Sequence, residues 1–538
     1  MTLYESILRH ERSGNCAIRF EGKDYSYRTF FSLVRKAAYY LRESGIGPGD
    51  VVTAALPNIP ANIVFFYALN AVGAVQNIVH PLMPVPQILE RMKERNSHHA
   101  ILLATVYGEN RALFEGTDDC FHFANPMYDV SLAKRHLFWS KYPRIPVNLH
   151  LRRLDDFRKC PEADPASLPT HDEEADSVFL YSGGTTGLPK VISLSDRSIN
   201  RLAEKVNGDD AIVGEDLRGK AMLAVLPTFH GFGLGMGIHS PLYWGATAAL
   251  MMKFDPKRVI QWIRAGKLQM MIGVPLLYQK LMKTEGFVSP ALRNLTHCFV
   301  GGDNVQPSLI EEFDGMMARE GSACRLLEGY GLTETVTVCS VNRREHPVKG
   351  SVGRPLRGID IVVRGEDGSL LPENEIGEVY VAGDTEMNGY LGDPESTAKT
   401  LVEIDGRTWV RTGDLGYLDA EGFLFLKGRK KRLFKISGIN VYPGEVEKAA
   451  CDSPDVYDAA MEFFEEPKPH TVLFLLKTKD CGRTDEEVCA ETMERLRNRL
   501  LKYSLPQQIV ILTEFPKTRV GKIDHKAFRD PAAEQEEK

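Results

Sequence analysis

The stretch Ser182-Gly183-Gly184-Thr185-Thr186-Gly187-Leu188-Pro189-Lys190 lies between two apolar runs, Val178–Tyr181 and Val191–Ile192. That order predicts a strand, a flexible turn and a second strand or element start. Gly183, Gly184 and Gly187 free the backbone to turn its N–H groups inward. Ser182, Thr185 and Thr186 add hydroxyl donors, and Lys190 adds a positive charge, so the loop suits a polyphosphate. It is not a Walker loop, which needs Gly-x-x-x-x-Gly-Lys followed by Ser or Thr. The segment Gly214-Glu-Asp-Leu-Arg-Gly219-Lys220 imitates that motif, but Ala221 follows it and Glu215 and Asp216 would repel phosphate. It reads as a solvated turn.

The chain around this loop has 538 residues, too many for one core, so two or more domains are expected. An apolar fraction of 43% and a charged fraction of 26% are those of a soluble globular protein. A net charge of −6 argues against nucleic acid as a main partner. Nine cysteines without CxxC pairs or His-Cys metal spacing read as reduced thiols in a cytoplasmic protein. No signal peptide is visible. Residues 221–252 lack Asp, Glu, Lys and Arg, yet Pro227, Pro241 and a series of glycines would break a spanning helix. They are expected to form a buried, irregular, substrate-lining region, with no transmembrane segment anywhere.

In chain order, helical spacing runs from Tyr27 to Glu43, with Ser26 as cap and Gly45 as stop. Val51–Leu56 reads as a strand, Pro60 to Val75 as an apolar helix, Pro86–Arg95 as a helix and Ala100–Thr105 as a strand. Alternation of this kind predicts a mainly parallel sheet covered on both faces. Residues 108–172 read as loops and linking helices. Asp255 and Pro256 open a helix that Gly266 ends, followed by strand Leu268–Val274 and helix Leu276–Lys283. Short strands at Ile359–Arg364, Glu378–Ala382 and Phe423–Lys427 mark a β-rich part. The fold class is therefore α/β: a large N-terminal domain, 1–428, of helix-covered sheets with a β-rich subdomain at about 350–428. A hinge at 429–431 leads to a small α+β domain, 432–538, of ordinary domain size.

Further segments carry chemistry: Leu226-Pro-Thr-Phe-His230, Gly301-Gly302-Asp303, Gly329-Tyr330-Gly331-Leu332-Thr333-Glu334, Arg411-Thr-Gly-Asp414, Gly428-Arg429-Lys430-Lys431-Arg432 and Gly521-Lys522-Ile523. A carboxylate beside hydroxyls and a polyphosphate loop supplies the few hard oxygen ligands that magnesium takes. Together with the 182–190 loop, in this order and over nearly the whole chain, they resemble the adenylate-forming superfamily of acyl-CoA synthetases, carrier-loading adenylation domains and firefly-type luciferases.

That resemblance implies roles. The 182–190 loop would hold the ATP phosphates, Glu334 and Thr186 the Mg2+, Tyr330 with Gly331 and the Gly302-Asp303 loop the adenine, and Thr333 the α-phosphate. Asp414 would bind the ribose hydroxyls, Arg429 would bind the nucleotide, and Lys431 would be the pivot. His230 would gate the acyl pocket, and Lys435 and Gly438 would line the pantetheine tunnel. Lys522 would be the catalytic lysine, bridging carboxylate and α-phosphate. The chain departs from the family pattern at Val191, Asp196 and His525.

The function so implied is an ATP-dependent carboxylic acid–CoA ligase using ATP, Mg2+ and CoA. Alternatives are loading of a carrier protein in trans and an inactive adenylate-binding homologue. Residues 226–245 hold no acid to pair a substrate ammonium, and Gly233, Gly235 and Gly237 leave room for a bulky apolar group. Medium or long fatty acids, then aryl or polycyclic acids, are the expected substrates.

Overall fold

The computed structural model describes residues 1–130, 135, 142–182, 189–208, 212–436, 439–465, 470–479, 481–500, 502–517 and 523–531. Two large sheets dominate. One has eight strands, in the order Gly389–Tyr390, Val191–Ser195, Asp176–Tyr181, Val75–Ile78, Val51–Ala55, His99–Leu103, Cys120–Ala124 and Leu151–Arg153. It is parallel except at the Val191–Ser195 strand, which runs antiparallel to both neighbours. The other has nine strands, and its centre, Leu326–Gly331, His297–Val300, Met270–Gly273, Ala221–Ala224 and Thr247–Leu250, is parallel. A five-stranded antiparallel sheet is built from residues 360–429. A three-stranded sheet, Val456–Phe464, His470–Lys477 and Gln508–Leu512, has a core of its own around Val446, Met461, Leu473 and Leu475. This is the expected α/β class.

Caps place the helices where the residues demand. Ser26 accepts from Thr29 N to start Tyr27–Glu43, and Asp255 accepts from Lys257 and Arg258 N to start Pro256–Arg264. Helix Pro60–Ala71 is buried all round. It stops at Ala71, before Gly73 and short of the expected end at Val75, which instead opens strand Val75–Ile78. Residues 108–172 also contain two sheet strands, Cys120–Ala124 and Leu151–Arg153, where the sequence predicts loops and linking helices. Both are parallel additions to one sheet edge, so neither is announced by a hairpin turn. Residues 221–252 are largely buried, as expected, but more regular than expected: after strand Ala221–Ala224 and a half-buried turn come π-helix Phe232–His239, helix Ser240–Tyr243 and strand Thr247–Leu250. The false Walker segment is an exposed turn in which Arg218 pairs with Asp216. Among the described residues no helix is long and apolar enough to cross a membrane.

The departure at Asp196 has a structural account. Its buried carboxylate accepts from Leu3 N at 3.3 Å, from the Asn70 amide at 2.8 and 2.9 Å, and from His171 Nε2 at 2.8 Å. It thereby pins the N-terminal turn to helix Pro60–Ala71. Asp196→Ala strands these donors and is expected to cost about 3–5 kcal/mol. The hydrogen bond that His171 donates to Asp196 raises His171 above the ordinary histidine value, against burial. The stability it adds is complete below the unfolded pKa and is lost as pH rises through the raised folded one. His171→Gln is therefore expected to lower the apparent Tm at about pH 6 and much less at about pH 9. Thermal unfolding followed by circular dichroism at both values checks this, and an equal deficit at both would contradict it.

Candidate active site

The 182–190 loop joins strands Asp176–Tyr181 and Val191–Ser195, as its flanking runs predict. Its neck is closed by Ser182 N to Lys190 O at 2.9 Å and Lys190 N to Ser182 Oγ at 3.0 Å. Gly183, Gly184, Thr185, Thr186 and Gly187 lie outside the described residues. The Lys190 ammonium sits 4.4 Å over the Tyr390 ring. The Tyr390 hydroxyl in turn donates to Glu334 Oε1 at 2.8 Å. That bond spans two sheets, since Tyr390 belongs to the eight-stranded one and Glu334 to a 3₁₀ turn that follows strand Leu326–Gly331.

A second bond brings in the third sheet. Tyr330 donates its hydroxyl to Asp414 Oδ2 at 2.5 Å, and Asp414 Oδ1 pairs with Arg429 Nε at 2.8 Å. Asp414 and Arg429 face each other in the antiparallel pairing of Arg407–Leu418 with Leu424–Arg429. Burial beside that carboxylate pushes the Tyr330 phenol well above its ordinary value. Lys190 at the neck of the 182–190 segment, Glu334, Tyr330, Asp414 and Arg429 thus meet where three sheets converge.

Glycines make the convergence close. A Cβ on Gly331 would lie 1.4 Å from Thr337 O, and one on Gly231 would lie 1.7 Å from Val336 O and 3.8 Å from Thr333 Cα. The Leu226–His230 segment is therefore seated against the Thr333–Glu334 turn. Val336, at φ +61°, is a buried β-branched residue in the left-handed region, a strain that only tight surroundings maintain. The His230 ring packs on Phe229 at 4.6 Å, and Phe229 packs on His80 at 4.5 Å. On the other flank Gly302, at φ +77°, lies 3.7–3.8 Å (as its Cβ would) from Val274 and Phe232. Asp303 is at the exposed rim, where its carboxylate and that of Asp458 oppose each other; burial first, then Asp303, pushes Asp458 up to about 6.

One expectation fails here. Gly233, Gly235 and Gly237 leave no open room: a Cβ on them would meet Pro227 O at 2.1 Å, Leu202 Cδ2 at 2.8 Å and Ile272 Cδ1 at 3.3 Å. They let the π-helix approach its neighbours. His239 in the same helix is a core residue, bonded to Tyr67 and Asn200 and held down to about 3 by burial.

The sequence motifs do not single out Tyr390, His80 or Glu328. Glu328, two residues before Tyr330, is pushed up to about 8 by burial, with Lys448 acting the other way. The native state then holds a proton that the unfolded chain has lost above about pH 4.3. Stability falls from there to about pH 8. Glu328→Gln is expected to raise the apparent Tm above pH 8 and leave it unchanged at about pH 4; no gain on the alkaline side would contradict it.

Lys435 lies on strand Phe434–Ile436, opposite Asn440, but its side chain, all of Gly438 and Lys522 lie outside the described residues. Lys517 and Ile523, which flank the Lys522 segment, pair as an antiparallel bridge. His525 reaches Glu462 Oε1 at 2.6 Å and so anchors the tail to strand Val456–Phe464.

A family model described as AMP-binding enzyme matches residues 8–391. The chain belongs to that family. As an AMP-binding enzyme it is 28% identical over 528 residues to the long-chain-fatty-acid–CoA ligase of Bacillus subtilis, covering 94% of this chain and 90% of that protein. It is 27% identical over 529 residues to 4-coumarate–CoA ligase 2 of Nicotiana tabacum, covering 96% and 91%. Its fold matches a benzoate CoA ligase from Burkholderia xenovorans LB400 with a TM-score of 0.83, at 21% identity, over 97% of this chain and 98% of that one. The fold of this AMP-binding enzyme is thus that of the adenylate-forming superfamily, as the motifs imply.

Proposed function

We propose that this enzyme is an ATP-dependent carboxylic acid–CoA ligase acting on an acid with an uncharged, apolar tail. The observation that carries the reading is the junction of three sheets at which Glu334–Tyr390–Lys190 and Tyr330–Asp414–Arg429 meet beside the 182–190 loop. A substrate carboxylate oxygen attacks the α-phosphorus of ATP and diphosphate leaves. The CoA thiol then attacks the acyl carbon, the bond from that carbon to the phosphate oxygen breaks, and AMP leaves. Both steps develop charge on oxygen, so positioned cations and donors do most of the work.

In this reading Asp414 accepts from the ribose hydroxyls, Arg429 holds the nucleotide, and Tyr330 and Gly302 bound the adenine. Thr333 contacts the α-phosphate, while Ser182 and Lys190 hold the phosphates with the residues between them. The donor set suits Mg2+, because the Glu334 carboxylate, oriented by Tyr390, is one hard oxygen ligand beside a phosphate loop. Glu334 would hold the ion together with Thr186, and the ion would neutralise phosphate charge.

The apolar tail is supported by residues 226–245, which carry no acid, and by Phe229, Phe232 and Leu332, half-buried against the core. The names of the relatives, a fatty-acid and a coumarate ligase, support it too. Diphosphate release measured over a panel of fatty, aryl and amino acids, with and without CoA, tests it. Turnover of fatty or aryl acids that yields acyl-CoA is expected. Turnover of a free amino acid with none of the others, or of a fatty acid with a carrier protein but not CoA, would overturn it.

A further inference from the structure

On the eight-stranded sheet, away from the strands that hold the phosphate loop, a cluster of side chains serves none of the chemistry above. Strands His99–Leu103 and Cys120–Ala124 pair in parallel, with His99 opposite Cys120. Side chains alternate along a strand, so Cys120 and His122 share one face, and His99 joins them there. His99 Nδ1 is 3.3 Å from His122 Nε2, and Cys120 Sγ is 3.6 Å from the same nitrogen. The three ligand atoms all lie within 4.8 Å of one another. The expectation that the chain has no His-Cys metal arrangement holds along the sequence but not in space, because residues 99 and 120 meet only through strand pairing.

We propose that His99, Cys120 and His122 form a binding site for zinc(II). Zinc is bound tetrahedrally with Zn–N of about 2.0–2.1 Å and Zn–S of about 2.3 Å, which sets N···N at about 3.3–3.4 Å and N···S at about 3.6 Å. Both separations match these edges. One imidazole pair and one thiolate are the borderline-soft donors zinc prefers. The fourth position is left to water.

An outer shell is also present. Tyr40 OH is 2.9 Å from His122 Nδ1, which orients the ring and leaves Nε2 for the ion. The Cys120 thiol donates to the Leu149 carbonyl at 3.8 Å, a contact that loss of its proton to a metal would end. Arg152 stands against the same cluster, donating Nη1 to Ser44 Oγ at 3.0 Å. Burial pushes the Cys120 thiol up, Arg152 acts the other way, and the same Arg152 charge opposes a bound cation. The site clamps two neighbouring strands to helix Tyr27–Glu43, which carries Tyr40, and takes no part in acid activation.

The test uses the full-length protein stripped of metal with a chelator. Zinc(II) is titrated in competition with a chromophoric chelator, and cobalt(II) is added separately as a spectroscopic probe. One zinc per chain is expected. Cobalt should give a thiolate-to-metal charge-transfer band and the intense visible bands of a tetrahedral ion. Tyr40→Phe should weaken zinc about 10–100-fold, and Cys120→Ser and His99→Asn should weaken it more, with the cobalt–thiolate band lost in the first. His99 is only partly buried, so His99→Asn should keep the native circular dichroism and acid activation. Zinc should raise the apparent Tm of the parent but not of that variant. Absence of zinc binding, or binding that persists in both ligand variants, would overturn the assignment.

Discussion

Replacing Lys522 by alanine is expected to slow acyl-AMP formation by about 10²–10³-fold or more, while thioester formation from supplied acyl-AMP survives far better. The attack of a carboxylate on the α-phosphorus brings two anions together and builds charge on the oxygens between them. A single ammonium placed there stabilises the transition state more than the ground state. In the proposed mechanism that service is over once the mixed anhydride exists, because the thiol attacks carbon and AMP leaves as an anion that Asp414 and Arg429 would already hold. The assay is single-turnover formation of acyl-AMP from acid and ATP, set beside transfer from synthetic acyl-AMP to CoA. Equal loss in the two half-reactions would refute the division of labour.

The opposite pattern is expected of Lys431→Pro: acyl-AMP formation is kept and transfer to CoA falls by about 10²-fold, the cost of a misplaced reacting group. Lys430–Arg432 is a 3₁₀ turn whose two outer cations are tied in different directions. Lys430 Nζ bonds Glu378 Oε2 at 2.9 Å in the five-stranded sheet, and Arg432 Nη2 bonds Glu447 Oε1 at 2.7 Å and Met461 O at 3.1 Å beside the three-stranded one. Burial would push Glu378 up, yet Arg411 and Lys430 hold it below the usual carboxylate range. Lys431, exposed between these anchors, is the proposed pivot, since a swing there would leave both ion pairs on their own sides. Rotation would part Tyr457 OH from Gln279 Oε1, now 2.9 Å, and Lys427 Nζ from Glu445 Oε1, now 2.5 Å. A proline fixes φ near −65° and restricts the swing. A folded variant that transfers to CoA at the parent rate would place the pivot elsewhere.

What could be read from the residues alone follows from how local each signal is. Helices Tyr27–Glu43 and Pro256–Arg264 begin at the residues their caps name, because a cap is a contact within one turn. The Ser182–Lys190 turn and the Tyr330–Glu334 segment are equally local. Strand Cys120–Ala124 is buried at every residue and paired in parallel on both sides, so it shows neither alternation nor a hairpin turn. Val75–Ile78 merges with the apolar helix before it, and only Gly73 separates them. The glycines of the π-helix predict room for a ligand, and that expectation fails because composition cannot distinguish space left for a ligand from space taken by neighbouring atoms. Tyr390 lies 56 residues from the Glu334 it orients, in a dipeptide strand without a motif. The His99–Cys120–His122 cluster is likewise a product of strand order.

The central claim is that this chain makes acyl-CoA through an acyl adenylate. It is tested most directly by supplying a medium- or long-chain fatty acid labelled with oxygen-18 in both carboxylate oxygens, with ATP, Mg2+ and CoA, and weighing the products by mass spectrometry. Attack on the α-phosphorus followed by thiol attack on the acyl carbon leaves one labelled oxygen in AMP and one in the thioester. That result is predicted, together with diphosphate in equal amount. AMP without label, or ADP and labelled inorganic phosphate in its place, would contradict the account.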